Sequence, residues 1–311
     1  MKRLGVMDAA ESVNTTEQTD ALVVLNLIVK EWSARGADVW LRNTGHLFIP
    51  SPGTVDGYTL GTSGTAKFTS LYYTTTIATA GAATDLTITV TDDTNMSTTD
   101  IILIEQTDGT LHATTINGAP AANVVTITAG LASAAAAGGT VYSWPTTSSI
   151  TDKPTKLIFA ARRKENLDNI ATNAGYMEGT DTPINIIGES EYRLLTNKLQ
   201  TGIPVSIFHK QEPVNPKIFL WPTGGDGAEH SLVLEYNTYL QDLDATTNNL
   251  DIPPEGVNAL VWQLAAELSS EYGITGKEQG MLWQLAMQKT EQFFDYQVED
   301  ASVFFSMGSG R

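Results

Sequence analysis

The apolar positions change period along the chain. Across residues 16–34 the spacing is helical: Leu22, Leu25, Val29 and Trp32 form one stripe. Thr15 and Gln18 stand at capping-box spacing at its start, and Gly36 takes the position just past its end. Val23, Val24 and Leu27 point away from the stripe, and Asn26 is the only polar residue between Ala21 and Val29. A helix apolar on all sides is buried on all sides, inside a bundle or against a neighbouring subunit. From Leu47 to Leu60 short extended pieces are broken by Pro50, Pro52, Gly53 and Gly57. Residues 86–90, 101–106, 111–116, 124–128 and 140–144 then alternate at the strand period. Asp108-Gly109 marks a tight hairpin and Asn117-Gly118 a second turn. Further strands are expected at 156–161, 184–187, 204–209, 217–221 and 231–239, with a short helix over 189–197. The helical period returns in the last third. Val257, Leu260, Val261, Leu264, Ala265 and Leu268 share a face behind Pro253-Pro254, and Gly273 supplies the stop. A last helix over 277–298 carries Leu282, Leu285, Ala286, Phe293 and Tyr296 on its inner side.

This order predicts an α+β fold. N- and C-terminal helices form a helical bundle joined to a host β segment, and an all-β domain, a small barrel or sandwich, is inserted. The host spans 1–61 and 150–311, and the insert 62–149. Composition sharpens the insert's edges, because Lys67 is its one basic residue while threonine and alanine abound. The tail after Ala301 is rich in glycine and serine, yet it holds Phe304 and Phe305, which call for a partner.

Charge narrows the function classes. The net charge is −17, so the chain as a whole lacks the basic face that grips phosphates. The distribution is uneven: residues 218–311 hold three basic and 14 acidic residues. Such a surface lets DNA slide rather than holding it, and equally serves solubility. With no cysteine, disulfides, thiolate metal sites and cysteine nucleophiles are excluded. The apolar run 21–29 follows Glu17 and Asp20, which does not fit a signal peptide, and it is too short for a membrane span.

The chemistry-bearing residues do not assemble into a motif. His46, His112, His209 and His230 are not at metal-ligand spacings, and there is no Walker loop, GxSxG elbow or GxGxxG. Asp92-Asp93 reads as a turn, and Asp242, Asp244 and Asp251 as a loop before a helix rather than an EF-hand. Trp221-Pro222 with Tyr236 and Tyr239 offers either a sugar-stacking surface or core aromatics. No catalytic residue, metal or cofactor is expected.

One resemblance rests on an ordered set of segments. These are Ile186-Ile187-Gly188-Glu189-Ser190-Glu191-Tyr192, residues 198–204, Ile218-Phe219-Leu220-Trp221-Pro222, residues 232–244, Ile252-Pro253-Pro254-Glu255 through Leu264-Ala265-Ala266-Glu267-Leu268, and Glu271-Tyr272-Gly273. Glu31-Trp32, Gly36 and Trp40 extend the set at the N-terminal side. Together they resemble the head-to-tail adaptor family of short-tailed bacteriophages, also called packaged-DNA stabilisation or tail accessory proteins. The resemblance covers residues 10–60 and 150–300 and leaves the insert outside. It implies a structural virion protein at the head–tail junction, assembled in the host cytoplasm. It implies a homo-oligomeric ring, usually twelve-fold, bound to a portal protein and to a downstream tail (nozzle) protein, with double-stranded DNA passing through without specific binding. On this reading Val23, Val24 and Leu27 lie at the subunit interface, and Phe293, Tyr296, Phe304 and Phe305 contact the portal. The alternative is a carbohydrate-binding or adhesion module of a phage or bacterial surface structure, resting on the insert and the scattered aromatics.

Overall fold

A computed structural model of the chain describes residues 14–35, 41–49, 56–165, 179–224, 231–238, 243 and 252–296. It divides into two compact units, Met1–Leu41 with Tyr239–Arg311, and Arg42–Thr238.

The larger unit is built from three sheets. Five strands run in the order β11 (Gly179–Pro183), β10 (Lys156–Glu165), β15 (Ser231–Asn237), β1 (Arg42–Phe48) and β3 (Lys67–Thr69), all antiparallel. Four run in the order β12 (Asn185–Ile186), β13 (Ser206–Lys210), β14 (Lys217–Trp221) and β2 (Tyr58–Thr59). Six run in the order β7 (Leu111–Thr115), β6 (Ile101–Glu105), β9 (Thr140–Trp144), β4 (Tyr73–Thr79), β5 (Thr87–Val90) and β8 (Val124–Thr126). This last sheet curls. Its edge strands meet at an Ile116–Ile127 bridge, and the Thr115 and Thr128 hydroxyls bond at 2.9 Å beside it. Its concave side holds Ile77, Ile88, Val90, Ile102, Ile104 and Val141. These are the inward positions of alternating segments, and threonines such as Thr87 and Thr115 face out. Phe48 stacks on Trp144 with ring centroids 5.0 Å apart and joins Tyr72, Leu103, Leu111 and Tyr142 in a second cluster.

The smaller unit holds α1 (Thr15–Ala34), α3 (Pro254–Leu268) and α4 (Lys277–Tyr296); α2 (Glu189–Leu194) belongs to the β unit. The cap of α1 differs from the expected one. Asn14, not Thr15, is the N-cap, and its partner is Glu17: the Asn14 N–H donates to Glu17 Oε2 at 3.0 Å and the Thr16 N–H to Asn14 Oδ1 at 3.3 Å. Asparagine is the stronger cap residue, so the box shifts by one. Ile28, Val29, Trp32, Ala259, Leu260 and Phe293 form the helical core. The Trp32 indole N–H donates to buried Gln263 at 2.6 Å. Asn26 clamps the backbone of Leu243, donating to its carbonyl at 3.2 Å and accepting from its N–H at 2.9 Å.

The fold-class expectation is corrected. The chain is mostly β, with 35% strand against 26% helix in three sheets, and its helices do not constitute an N- and C-terminal bundle on which the rest is hung. Among the described residues the sheet clusters hold fourteen, twelve and six buried residues, the helical one seven. The reason lies in strands that carry little alternation. Arg42–Phe48 and Tyr73–Thr79 are rich in threonine, glycine and polar residues, yet both are ladder strands with buried ends or centres.

Candidate interaction surfaces

The outer faces of the helices carry exposed apolar side chains among polar ones. On α1, Val23 and Leu27 are 57% and 62% exposed, while Val24 leans half-buried onto the core. On α3, Leu260, Ala265 and Leu268 go inward as expected, but Val257 and Val261, one turn apart, are exposed. On α4, Met281, Trp283 and Met287 are exposed. Trp283 and Met287 also wall a groove of about 300 Å³ that Glu31, Arg35 and Glu267 line. Burial pushes the Glu267 carboxyl above its usual range, and the charge of Glu31 adds to it. In the β unit, Leu194 on α2 and Leu199 in the following loop are 80% and 71% exposed. Side chains of this size left in water in groups mark contact surfaces.

The residues expected at the portal divide. Phe293 is withdrawn from that role. It is 3% exposed, 5.1 Å from the Trp32 ring, and packed where any Cβ on Gly256 would come within 2.8 Å of it. Tyr296 is the last residue of α4, and Phe304 and Phe305 lie outside the described residues. The sugar-stacking arrangement loses a member too. Tyr236 is 2% exposed in the core of the five-stranded sheet; Tyr239 lies outside the described residues.

The suspected acid pairs are turn chemistry. Asp92 accepts from the Thr94 N–H at 3.0 Å and from its hydroxyl at 2.5 Å; Asp93 accepts from the N–H of Asn123, which sits at φ 64°. Among the described residues no group of three or more histidines, aspartates or glutamates is placed to hold a metal ion. Asp242, Asp244, Asp251 and His230 fall outside them. His112 bonds the Ala129 carbonyl at 3.1 Å, and burial lowers the pKa of His209.

A polar cluster that sequence spacing does not reveal lies in the five-stranded sheet. Glu165 Oε1 accepts from the Tyr72 hydroxyl at 2.7 Å and from the Ser231 hydroxyl at 2.8 Å. Arg163 grips Asp181 through two bonds of 2.7 Å. The His46 ring meets Tyr72 edge-on at 4.8 Å. Burial lowers the His46 pKa to about 4, and the positive charge of Arg163 adds to this. Burial raises Glu165 against the pull of its two hydroxyl donors, and burial followed by the Glu165 charge raises Tyr72. Tyr72, Ser231 and His46 are at most 2% exposed, so no substrate reaches them. The cluster ties β10, β11 and β15 to the segment before β4. It is invisible in sequence because its members come from separate strands and from the segment before β4.

No protein-family description matches the chain, and no curated protein is similar enough to count as a relative. Among the described residues no helix is long and apolar enough to cross a membrane.

Proposed function

We propose that this chain is a structural subunit of a head-to-tail adaptor ring in a short-tailed bacteriophage, seated on the portal and leading DNA toward the tail. The observation that carries the reading is α1, a helix whose inner face is core while Val23 and Leu27 opposite stand more than half exposed. Such a face is costly to leave in water and gains by meeting another subunit. A ring closes through two different surfaces per subunit. The exposed Leu194 and Leu199 offer a second patch of the same kind. The acidic composition of residues 218–311 suits a conduit that does not hold DNA. The ordered segments from Ile186 to Gly273 resemble those of the family, and a non-enzymatic scaffold is in keeping with the Asp92-Asp93 pair, whose carboxylates are taken up by turn hydrogen bonds.

Sizing tests this directly. The purified chain alone runs as a monomer or loose oligomer; with portal rings it migrates as a ring of about twelve copies on the portal. Failure to join any portal, together with saturable glycan binding, would replace the ring reading by the adhesion one.

A further inference from the structure

Within the β unit the three sheets converge on a cavity of about 400 Å³. Its apolar wall is Phe48, Tyr58, Leu103 and Leu111, all buried. Two lysines reach it from different sheets. Lys67 lies directly opposite Phe48 across the β1–β3 ladder, so both side chains leave the same face. Lys217 lies opposite Thr59 across β14–β2 in the same way. Both lysines are half-buried, and neither is ion-paired among the described residues. Asp56 is the one acid among the described residues of the lining. The nearby Glu212 carboxylate, which also feels Lys217, bonds Lys210 at 2.6 Å. The cavity therefore combines an aromatic and aliphatic wall with two ammonium groups against one lining carboxylate.

We propose that this cavity binds a small amphipathic anion, an apolar body ending in a carboxylate. The body lies on Phe48, Tyr58, Leu103 and Leu111, and the carboxylate sits between Lys67 and Lys217. The volume falls in the range of ligand cavities, about 300–1,000 Å³, and the lining follows their pattern of apolar walls with few convergent polar groups. A hydrogen-bonded charge contact at a partly buried site is among the stronger polar terms, so the lysines select the anion over its neutral analogue. This inference rests on the β unit alone and stands or falls apart from the ring reading.

The experiment is calorimetric titration of the full chain with decanoate and, separately, decanol. Decanoate binds with one-to-one saturation. The double variant Lys67→Gln, Lys217→Gln weakens decanoate by about tenfold or more and leaves decanol within about twofold. Ala113→Trp, at an exposed position of the lining on β7, blocks both ligands. If the lysine variant does not fold, Ala113→Trp and the preference for decanoate over decanol carry the test. Absence of saturable decanoate binding, equal binding of decanol and decanoate by the wild-type chain, unchanged decanoate affinity in the lysine variant, or unchanged binding in Ala113→Trp overturns the proposal.

Discussion

In the six-stranded sheet and its connections the large apolar side chains left exposed are Leu86 and Val124; among the described residues of the helical unit they are Val23, Leu27, Val257, Val261, Met281, Trp283 and Met287. Both regions have an apolar core. The sheet curls its strands around that core until its edges meet, and threonine hydroxyls finish the outside. A helix has one inward face, and in this unit the outward faces hold several apolar side chains among their polar ones. The difference separates two kinds of information. Of these two regions, the one with the more unusual composition has fewer exposed large apolar side chains, and the ordinary-looking helices have more. The region best placed to mediate assembly is the one whose apolar residues exceed what its own core takes up.

Substitutions sharpen the contrast, beginning with the inner helical face. Trp32→Ala removes a fully buried ring and the short indole hydrogen bond to Gln263, leaving only the longer one from Thr290, so it costs about 3–5 kcal/mol of stability. Urea unfolding followed by hydrogen exchange will show protection lost from the helices. Loss spread equally into the curled sheet would mean that the two regions do not have separate cores.

Acid acts on the five-stranded sheet, which belongs to neither side of that contrast. His46 stays neutral in the fold down to about pH 4, while the unfolded chain's imidazole takes a proton near 6.5. Its contribution is present above 6.5 and is lost as pH falls toward 4, on the order of 3 kcal/mol at most. Glu165, raised by burial, has the opposite sign: its contribution is present below 4.5 and is lost as pH rises through its folded value. His46→Leu should therefore flatten the acid limb of stability between pH 6.5 and 4 in urea melts. An unchanged acid limb would show that other groups set it.

Asn26→Ala breaks the clamp on Leu243 and costs about 1–3 kcal/mol. The smallest effect on folding belongs to the surface reading. Val23→Asp changes stability by only about 0.5 kcal/mol, because the residue faces water in the single chain. A melt showing collapse of the helical unit in this variant would place Val23 in its own subunit's core.

Much of the sheet architecture was legible in local patterning. Thr140–Trp144 and Lys217–Trp221 match their expected bounds, and Gly109 takes the left-handed conformation its hairpin needs, at φ 78°. β1 was not legible, because its pattern hides a tertiary fact. Gly45 sits under the Phe68 ring, where an added Cβ would come within 2.5 Å, so a residue that argues against a strand is required by the next one's packing. β4 was lost because its buried positions include Thr74 and Thr75, which polarity alone assigns to the surface. On the candidate surface, Val23 and Leu27 could be singled out from helical spacing. Helical spacing already put Phe293 on the inner side of the last helix, at odds with a portal contact; the room its ring fills is left by Gly256, a helix away. The lysine-lined cavity depends on cross-strand register within two sheets and on a wall from the third, which no local spacing encodes.

The most direct test of the account is the mass of the assembly formed on portal rings by three chains: the native sequence, Val23→Asp with Leu27→Asp, and Leu86→Asp with Val124→Asp. The account predicts full rings for the native chain and for the Leu86/Val124 pair. It predicts no rings for the Val23/Leu27 pair, whose circular dichroism stays native. Full rings from the Val23/Leu27 pair, or rings lost only in the Leu86/Val124 pair, would contradict assembly through the helical face.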